Sequence, residues 1–213
     1  NNNLFYLSAT MIEQNSGHIQ FDCGVDYQNF KENILLNNLK NLKYYDYQGS
    51  HWAPHLIHTE IWKKIGGFSE EFNPGIGSDP DLNMKLWNEG VRIFKGLDNF
   101  KIYHFGSISL RKKSDLKVNK GANTFLKKWG FTPTFFVKHF LRGGKFSKNK
   151  IISFKYDGPL NEPVKNFTYF VDLFISKITL FNLDKIQRSI GSNNFLSISL
   201  NDFIFELFSI DTL

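Results

Sequence analysis

Residues 51–94 read HWAPHLIHTEIWKKIGGFSEEFNPGIGSDPDLNMKLWNEGVRIF. Glycines and prolines divide these residues into short elements of different kinds. The pattern predicts an extended segment over residues 51–58, a short helix over residues 60–65 that Thr59 caps and two glycines end, and a second helix over residues 80–89. A loop rich in turn formers, residues 68–78, joins the two helices.

The start of the second helix concentrates the polar chemistry of this stretch. Ser78 or Asp79 is predicted to cap the helix, and Pro80 occupies its first turn. Asp81 is favoured near the positive end of the helix dipole. An ordinary helix start therefore accounts for both acids without any function.

The flanking sequence extends the pattern to an α/β domain. Upstream, a buried strand is predicted over residues 4–12 and a helix over residues 26–42. Downstream, strands over residues 91–94 and 100–105 precede a helix over residues 119–129. The predicted fold class is α/β, a mixed sheet with flanking helices.

The C-terminal part of the chain is predicted to stand apart from this domain. Glycines and polar residues over 143–149 are typical of a linker. Beyond them, the pattern predicts an amphipathic helix over residues 167–181 and a strand over residues 196–200. We therefore interpret residues 1–142 as the main domain and residues 143–213 as a linker and a C-terminal appendage.

The composition is that of a globular, basic chain. Its 213 residues are 41% hydrophobic and 22% charged, which argues against wholesale disorder. Lys and Arg exceed Asp and Glu by 26 to 20, for a net charge of +6. Seven basic residues against one acid lie in segment 111–128. They favour an anionic partner, such as a diphosphate, a phospholipid headgroup or a nucleic acid, or else form a solvated helix face.

Cysteine content and hydropathy limit other possibilities. Cys23 is the only cysteine, which excludes an internal disulfide and a cysteine-built metal site. No stretch approaches the ~18 uninterrupted apolar residues of a membrane span. The sequence predicts a cytoplasmic protein, with segment 111–128 as a potential peripheral contact to a membrane.

Seven short motifs follow one another in the middle of the chain. They are HWAP at 51–54, IGGF at 65–68, PG at 74–75, SDPD at 78–81, GVRI at 90–93, YHFGS at 103–107 and KKWG at 127–130. Their order and spacing resemble the second half of family 2 glycosyltransferases and their GT-A relatives. The resemblance covers roughly residues 4–129 and is closest over residues 52–107.

This resemblance implies a partial GT-A fold and a metal-dependent transfer, with inversion, from a nucleotide-diphosphate sugar to a hydroxyl of a glycan or another acceptor. A nucleic-acid partner is not implied. The donor-binding Asp-x-Asp motif of such enzymes is expected upstream of Asn1. The chain is therefore expected to begin within a domain and to be inactive by itself.

Asp79 matches the position of the family's general base. It lies eleven residues ahead of Gly90, where the family places the acid that deprotonates the acceptor hydroxyl. Such a group must lie within hydrogen-bond reach of the attacking oxygen. Ser78 departs from the family, which more often has Glu before this Asp.

Asp79, Pro80 and Asp81 also spell an Asp-x-Asp pattern. In the family that metal-binding pattern follows an apolar strand, whereas here it opens a helix. We therefore do not interpret these two acids as the metal motif. Asp81 is instead a candidate substrate-binding residue beside the base.

The resemblance implies further site residues. His104, at the end of a predicted strand, matches a histidine that completes the shell of Mn²⁺ or Mg²⁺ in many relatives, and imidazole suits Mn²⁺ beside carboxylates. Trp52 and His51 match the border of the acceptor site, where an aromatic face stacks on a sugar ring. Arg111 begins a cationic loop that would neutralise the leaving nucleoside diphosphate. Ordinary structural roles account for each of these residues equally well.

Two other functions stay open at this point. A metal-dependent phosphoesterase would use Asp79, Asp81 and His104 as metal ligands. A non-catalytic carbohydrate- or anion-binding module on a degenerate transferase fold would explain the missing donor motif.

Overall fold

A computed structural model describes residues 3–73, 75–105, 120–147 and 150–191. Arg111 and the predicted strand over residues 196–200 lie outside these ranges. The strands are β1 (Phe5–Glu13), β2 (Ile19–Gln20), β3 (Tyr47–Gln48), β4 (His55–Ile57), β5 (Ile93–Tyr103), β6 (Lys145–Ser147) and β7 (Lys150–Ile152). The helices are α1 (Glu32–Asn38), α2 (Thr59–Ile65), α3 (Ser78–Asn88), α4 (Lys120–Trp129), α5 (Pro133–His139) and α6 (Phe167–Gly191), with a 3₁₀ turn at Glu70–Phe72.

Strand β1 is the centre of a mixed five-stranded sheet. Strand β5 runs parallel to it on one edge, and β3 pairs antiparallel with β5. The other edge of β1 pairs antiparallel with β4 through its first half and parallel with β2 at its end. The sheet and its flanking helices confirm the α/β prediction.

A largely aromatic core lies between this sheet and helices α3, α4 and α5. Its fully buried members include Tyr6 of β1, Phe94 of β5, Leu82 and Leu86 of α3, Phe125 of α4 and Phe136 of α5. Each buried side chain of this size stabilises the fold by about 1.5–3 kcal/mol relative to exposure. Some of the 23 phenylalanines of the chain therefore belong to the core.

The structure alters the bounds of several predicted elements. The helix predicted over residues 26–42 is reduced to α1, because Asp26 accepts from the amide of Asn29 (2.9 Å) and forms a turn instead. The strands predicted over residues 91–94 and 100–105 are one strand, β5.

Both predicted helix caps are also wrong. His58, not Thr59, caps α2 by accepting from the amide of Glu60. Helix α3 begins one residue before Asp79, after Gly77 in a left-handed conformation (φ 86°), and has no side-chain cap. Asp79 is therefore inside the first turn, and its carboxylate does not cap the helix.

The chain beyond residue 143 packs onto the main domain. The amides of Gln48, Tyr156 and Leu160 form backbone hydrogen bonds of 2.8–2.9 Å that join this segment to β3, to Asp46 and to Arg92. The side chain of Leu160 is part of the core. The boundary predicted at residue 143 therefore does not coincide with a gap in the packing.

Among the helices that the structure describes, none combines the length and the apolar character needed to cross a membrane.

Candidate functional site

A cleft of about 1090 Å³ opens beside the first turn of α3. Residues that line it include His51, Trp52, Asp79, Arg142, Lys145 and Phe154. The structure thus brings together the three side chains predicted as the base and the acceptor border. Sequence reasoning missed Arg142, Lys145 and Phe154. Lys145 and Phe154 belong to the segment interpreted as linker and appendage, and Arg142 directly precedes that segment.

Close backbone contacts position Asp79 at this cleft. A Cβ atom on Gly77 would lie 2.8 Å from the carbonyl oxygen of Gly121, so only glycine allows α4 to pack against the start of α3. Asn83, one turn further along α3, donates its side-chain amide to the carbonyl oxygens of Asp79 (2.6 Å) and His51 (3.1 Å). This fully buried amide therefore ties the two sides of the cleft together.

The carboxyl group of Asp79 has an unusual environment. Within the described residues it forms no hydrogen bond or ion pair, although its main-chain oxygen does. Burial without such a partner raises its pKa from 3.8 to about 6, because the charged form loses solvation. The group can therefore exchange a proton near neutral pH.

His51 and Trp52 form an aromatic pair next to Asp79. Their ring centroids lie 4.0 Å apart. Nδ1 of His51 lies 2.9 Å from the carbonyl oxygen of Gly49, which only accepts, so Nδ1 carries the proton. Burial lowers the pKa of His51 to about 4, so the ring is neutral at pH 7 and its Nε2 is an acceptor.

A buried polar layer supports this pair from the sheet side. The hydroxyl of Tyr47 donates to the carbonyl of Ala9 (2.8 Å) and accepts from Ser50 (3.1 Å) and from the indole of Trp52 (3.4 Å). The ring of Tyr47 fits because Gly96 lies beneath it, where a Cβ would approach within 1.9 Å. The sequence carries no local sign of this contact, since the two residues belong to different strands.

Asp81 lies away from the cleft, inside the protein. Its side chain accepts from Ser69 (2.6 Å) and Trp129 (2.8 Å) and pairs with Lys128 (3.0 Å), and the residue is 0% exposed. These contacts join the 3₁₀ region to helices α3 and α4. The geometry gives Asp81 a structural role and does not place it beside Asp79 in the cleft.

His104 lies in a second, smaller cavity of about 240 Å³. Its Nδ1 is 2.5 Å from a carboxylate oxygen of Glu13, which follows from the parallel pairing of β1 and β5. Sequence reasoning missed Glu13, although its position at the end of the buried strand β1 was a signal. One imidazole and one carboxylate suit Mn²⁺, but within the described ranges no three His, Cys, Asp or Glu side chains converge.

The two cavities have no lining residue in common. Tyr6 of β1 donates to the carbonyl oxygen of Trp52 in the cleft (3.0 Å), and Glu13, the last residue of the same strand, lies beside His104 in the second cavity. The structure therefore places Asp79 and His104 in separate cavities.

Comparison with known proteins adds no family or relative. No protein-family model, no curated protein and no solved structure matches the chain. The chemistry of the two cavities is therefore the basis for a functional proposal.

Proposed function

We propose that this chain is the acceptor-side part of a GT-A-type glycosyltransferase that moves a sugar from a nucleotide-diphosphate sugar to a hydroxyl acceptor with inversion. The observation that supports this most is the carboxyl group of Asp79, unpaired among the described residues, at an open cleft and beside an indole. A pKa of about 6 leaves this group largely ionised at pH 7 yet basic enough to take a proton.

In this proposal Asp79 is the general base. As the acceptor oxygen attacks the anomeric carbon, its proton passes to the carboxylate and the nucleoside diphosphate leaves with the bonding electron pair. A single displacement inverts the anomeric centre. Trp52 supplies a flat surface for the sugar ring of the acceptor molecule. Nε2 of His51 accepts a hydrogen bond from a second hydroxyl of that molecule.

A divalent metal belongs to the second cavity in this proposal. His104 and Glu13 would supply two ligands to Mn²⁺ or Mg²⁺, whose charge would stabilise the diphosphate. Arg111, outside the described residues, would add a further positive charge. A cytoplasmic location, with segment 111–128 as a peripheral membrane contact, completes the proposal.

The placement of Asp79 and His104 in different cavities favours a second candidate, a non-catalytic module that binds a carbohydrate or an anion in the cleft. A phosphoesterase is less well supported. The three side chains that it would need as ligands lie in the cleft, in the interior and in the second cavity.

The test is transfer by the protein at its natural full length. A panel of nucleotide-diphosphate sugars with Mn²⁺ and glycan acceptors would be scored by release of nucleoside diphosphate. Asp79→Asn should lower kcat by about 10²–10⁴-fold. Glu32→Gln, an exposed acid of α1, is the matched control and should keep full activity. Transfer by Asp79→Asn at the unmodified rate would remove the base assignment, and binding without any transfer would favour the module.

A further inference from the structure

Three basic side chains line the same cleft as Asp79. Lys138 belongs to α5, and Arg142 and Lys145 follow it in the chain. No step of the proposed transfer uses them. Their charges are opposite to the one that a general base carries, so they are suited to a different part of a bound ligand.

These three cations differ in how firmly they are neutralised. Nζ of Lys138 contacts Asp172 of α6 at 2.5 Å, so its charge is largely offset. Arg142 pairs with Asp157 at 2.8 Å, but both side chains are about half exposed, at 50% and 53%. Such exposed pairs are weak and exchange readily for another anion. Lys145 is exposed and has no ion pair within the described part of the chain.

The backbone of Arg142 is held in a conformation that normally favours glycine. Its φ is 53°, and no other non-glycine residue in the described ranges has a positive φ. The turn is imposed by its surroundings, since the amide of Gly143 donates to Val137 (2.8 Å) and Gly143 packs against Gly49. An arginine at such a position costs stability that a glycine would not cost, which points to a use for its side chain.

We propose that the cleft binds a ligand bearing an anionic oxygen group, a phosphate or a carboxylate, through Arg142 and Lys145. The guanidinium of Arg142 offers paired donors to such a group, and Lys145 adds a mobile point charge. Trp52 and Phe154 supply apolar surface for the rest of the ligand. This inference rests on the proposed function in one respect: the ligand is the acceptor, with its hydroxyl at Asp79 and its anionic group at Arg142.

Binding is tested on the isotope-labelled chain by two-dimensional amide NMR at constant ionic strength. The probes are glucose, glucose 6-phosphate, glucuronate, inorganic phosphate and acetate. Anionic probes should shift the amides of residues 142–145, and glucose should not. The sugar phosphate and the uronate distinguish the two anionic groups, and preference for either one supports the proposal.

Variants separate binding from folding. Arg142→Gly removes the cation where the backbone suits glycine, so it should keep or raise Tm and weaken binding about tenfold. Arg142→Lys should retain part of the binding. Asp157→Asn removes the competing carboxylate and should strengthen binding several-fold. Lys63→Gln replaces an exposed lysine of α2 that does not line the cleft, so it controls for net charge and should leave binding unchanged.

Three outcomes would overturn the inference: no shift of these amides with any anionic probe, unchanged binding in Arg142→Gly, or weakening by Lys63→Gln to the same extent. Uridine diphosphate is a further probe. If it were the single probe that bound through Arg142, the assignment of the anionic ligand as the acceptor would be wrong. Asp79→Asn should leave anion binding intact. A failure of the transferase proposal is thereby distinguished from a failure of anion binding.

Discussion

Asp79 and His104 line two separate cavities, the first beside Trp52 and the second beside Glu13. The two cavities share no lining residue, so the candidate proton acceptor and the candidate metal ligand lie at different sites. Substitutions at the two positions should affect different measurements.

The first prediction concerns Asp79 and the pH dependence of stability. The folded chain keeps the Asp79 proton up to about pH 6, whereas the unfolded chain loses it near pH 3.8. Between these values the folded state binds more protons, so the ionisation of Asp79 lowers the free energy of unfolding as pH rises. Asp79→Asn should thus match the unmodified chain below about pH 4 and exceed its free energy of unfolding by about 3 kcal/mol above pH 6.

Chemical denaturation of both chains across this pH range measures the difference. Other titrating groups are shared and cancel. If the free energies of unfolding of the two chains differed by the same amount from pH 4 to pH 7, the Asp79 carboxyl would have to be solvated or paired.

The second prediction concerns the pH dependence of transfer in the full-length protein. Because Asp79 must be ionised to accept a proton, kcat/KM should rise with pH up to about pH 6 and then level off. His104→Ala should leave this rise of kcat/KM on the acid side of the pH profile unchanged. It should raise the concentration of Mn²⁺ needed for half-maximal rate. A shift of this rise in His104→Ala would show that the two cavities are coupled.

The third prediction concerns Asp81. Asp81→Asn should destabilise the fold by about 3 kcal/mol, because it leaves Lys128 facing a buried amide. Glu71→Gln removes the exposed partner of the same lysine and should cost less than about 1 kcal/mol. Denaturant unfolding measures both changes. A stable Asp81→Asn chain with weakened acceptor binding would restore the substrate-binding role predicted from the sequence.

The fourth prediction concerns Gly96. Gly96→Ala should destabilise the fold by about 1–3 kcal/mol, because the new Cβ would meet the Tyr47 ring at 1.9 Å. The double variant Tyr47→Ala/Gly96→Ala should lose less stability than the sum of the losses in the two single variants, because the smaller side chain at position 47 removes the clash. Additive losses in thermal unfolding would contradict the contact.

Local pattern predicted much of this molecule. Strand β1 coincides with the apolar run that predicted it. Helices α2 and α3 end just before the glycines that were predicted to end them. Trp52 and Asp79 lie 27 positions apart in the chain, and both line one cleft. The extent of α1 was wrong, because the turn at Asp26 competes with the helix for the same backbone groups.

From the sequence, the ends of β1, α2, α3 and α4 could be predicted to within two residues, because turn residues and hydrophobic spacing act over one or two turns of chain. Tertiary structure alone decided that Asp81 is buried among donors while Asp79 reaches a cleft, and that Arg142 shares that cleft. The charge state and accessibility of a side chain depend on which distant residues exclude water around it. That information exists only after the chain has packed.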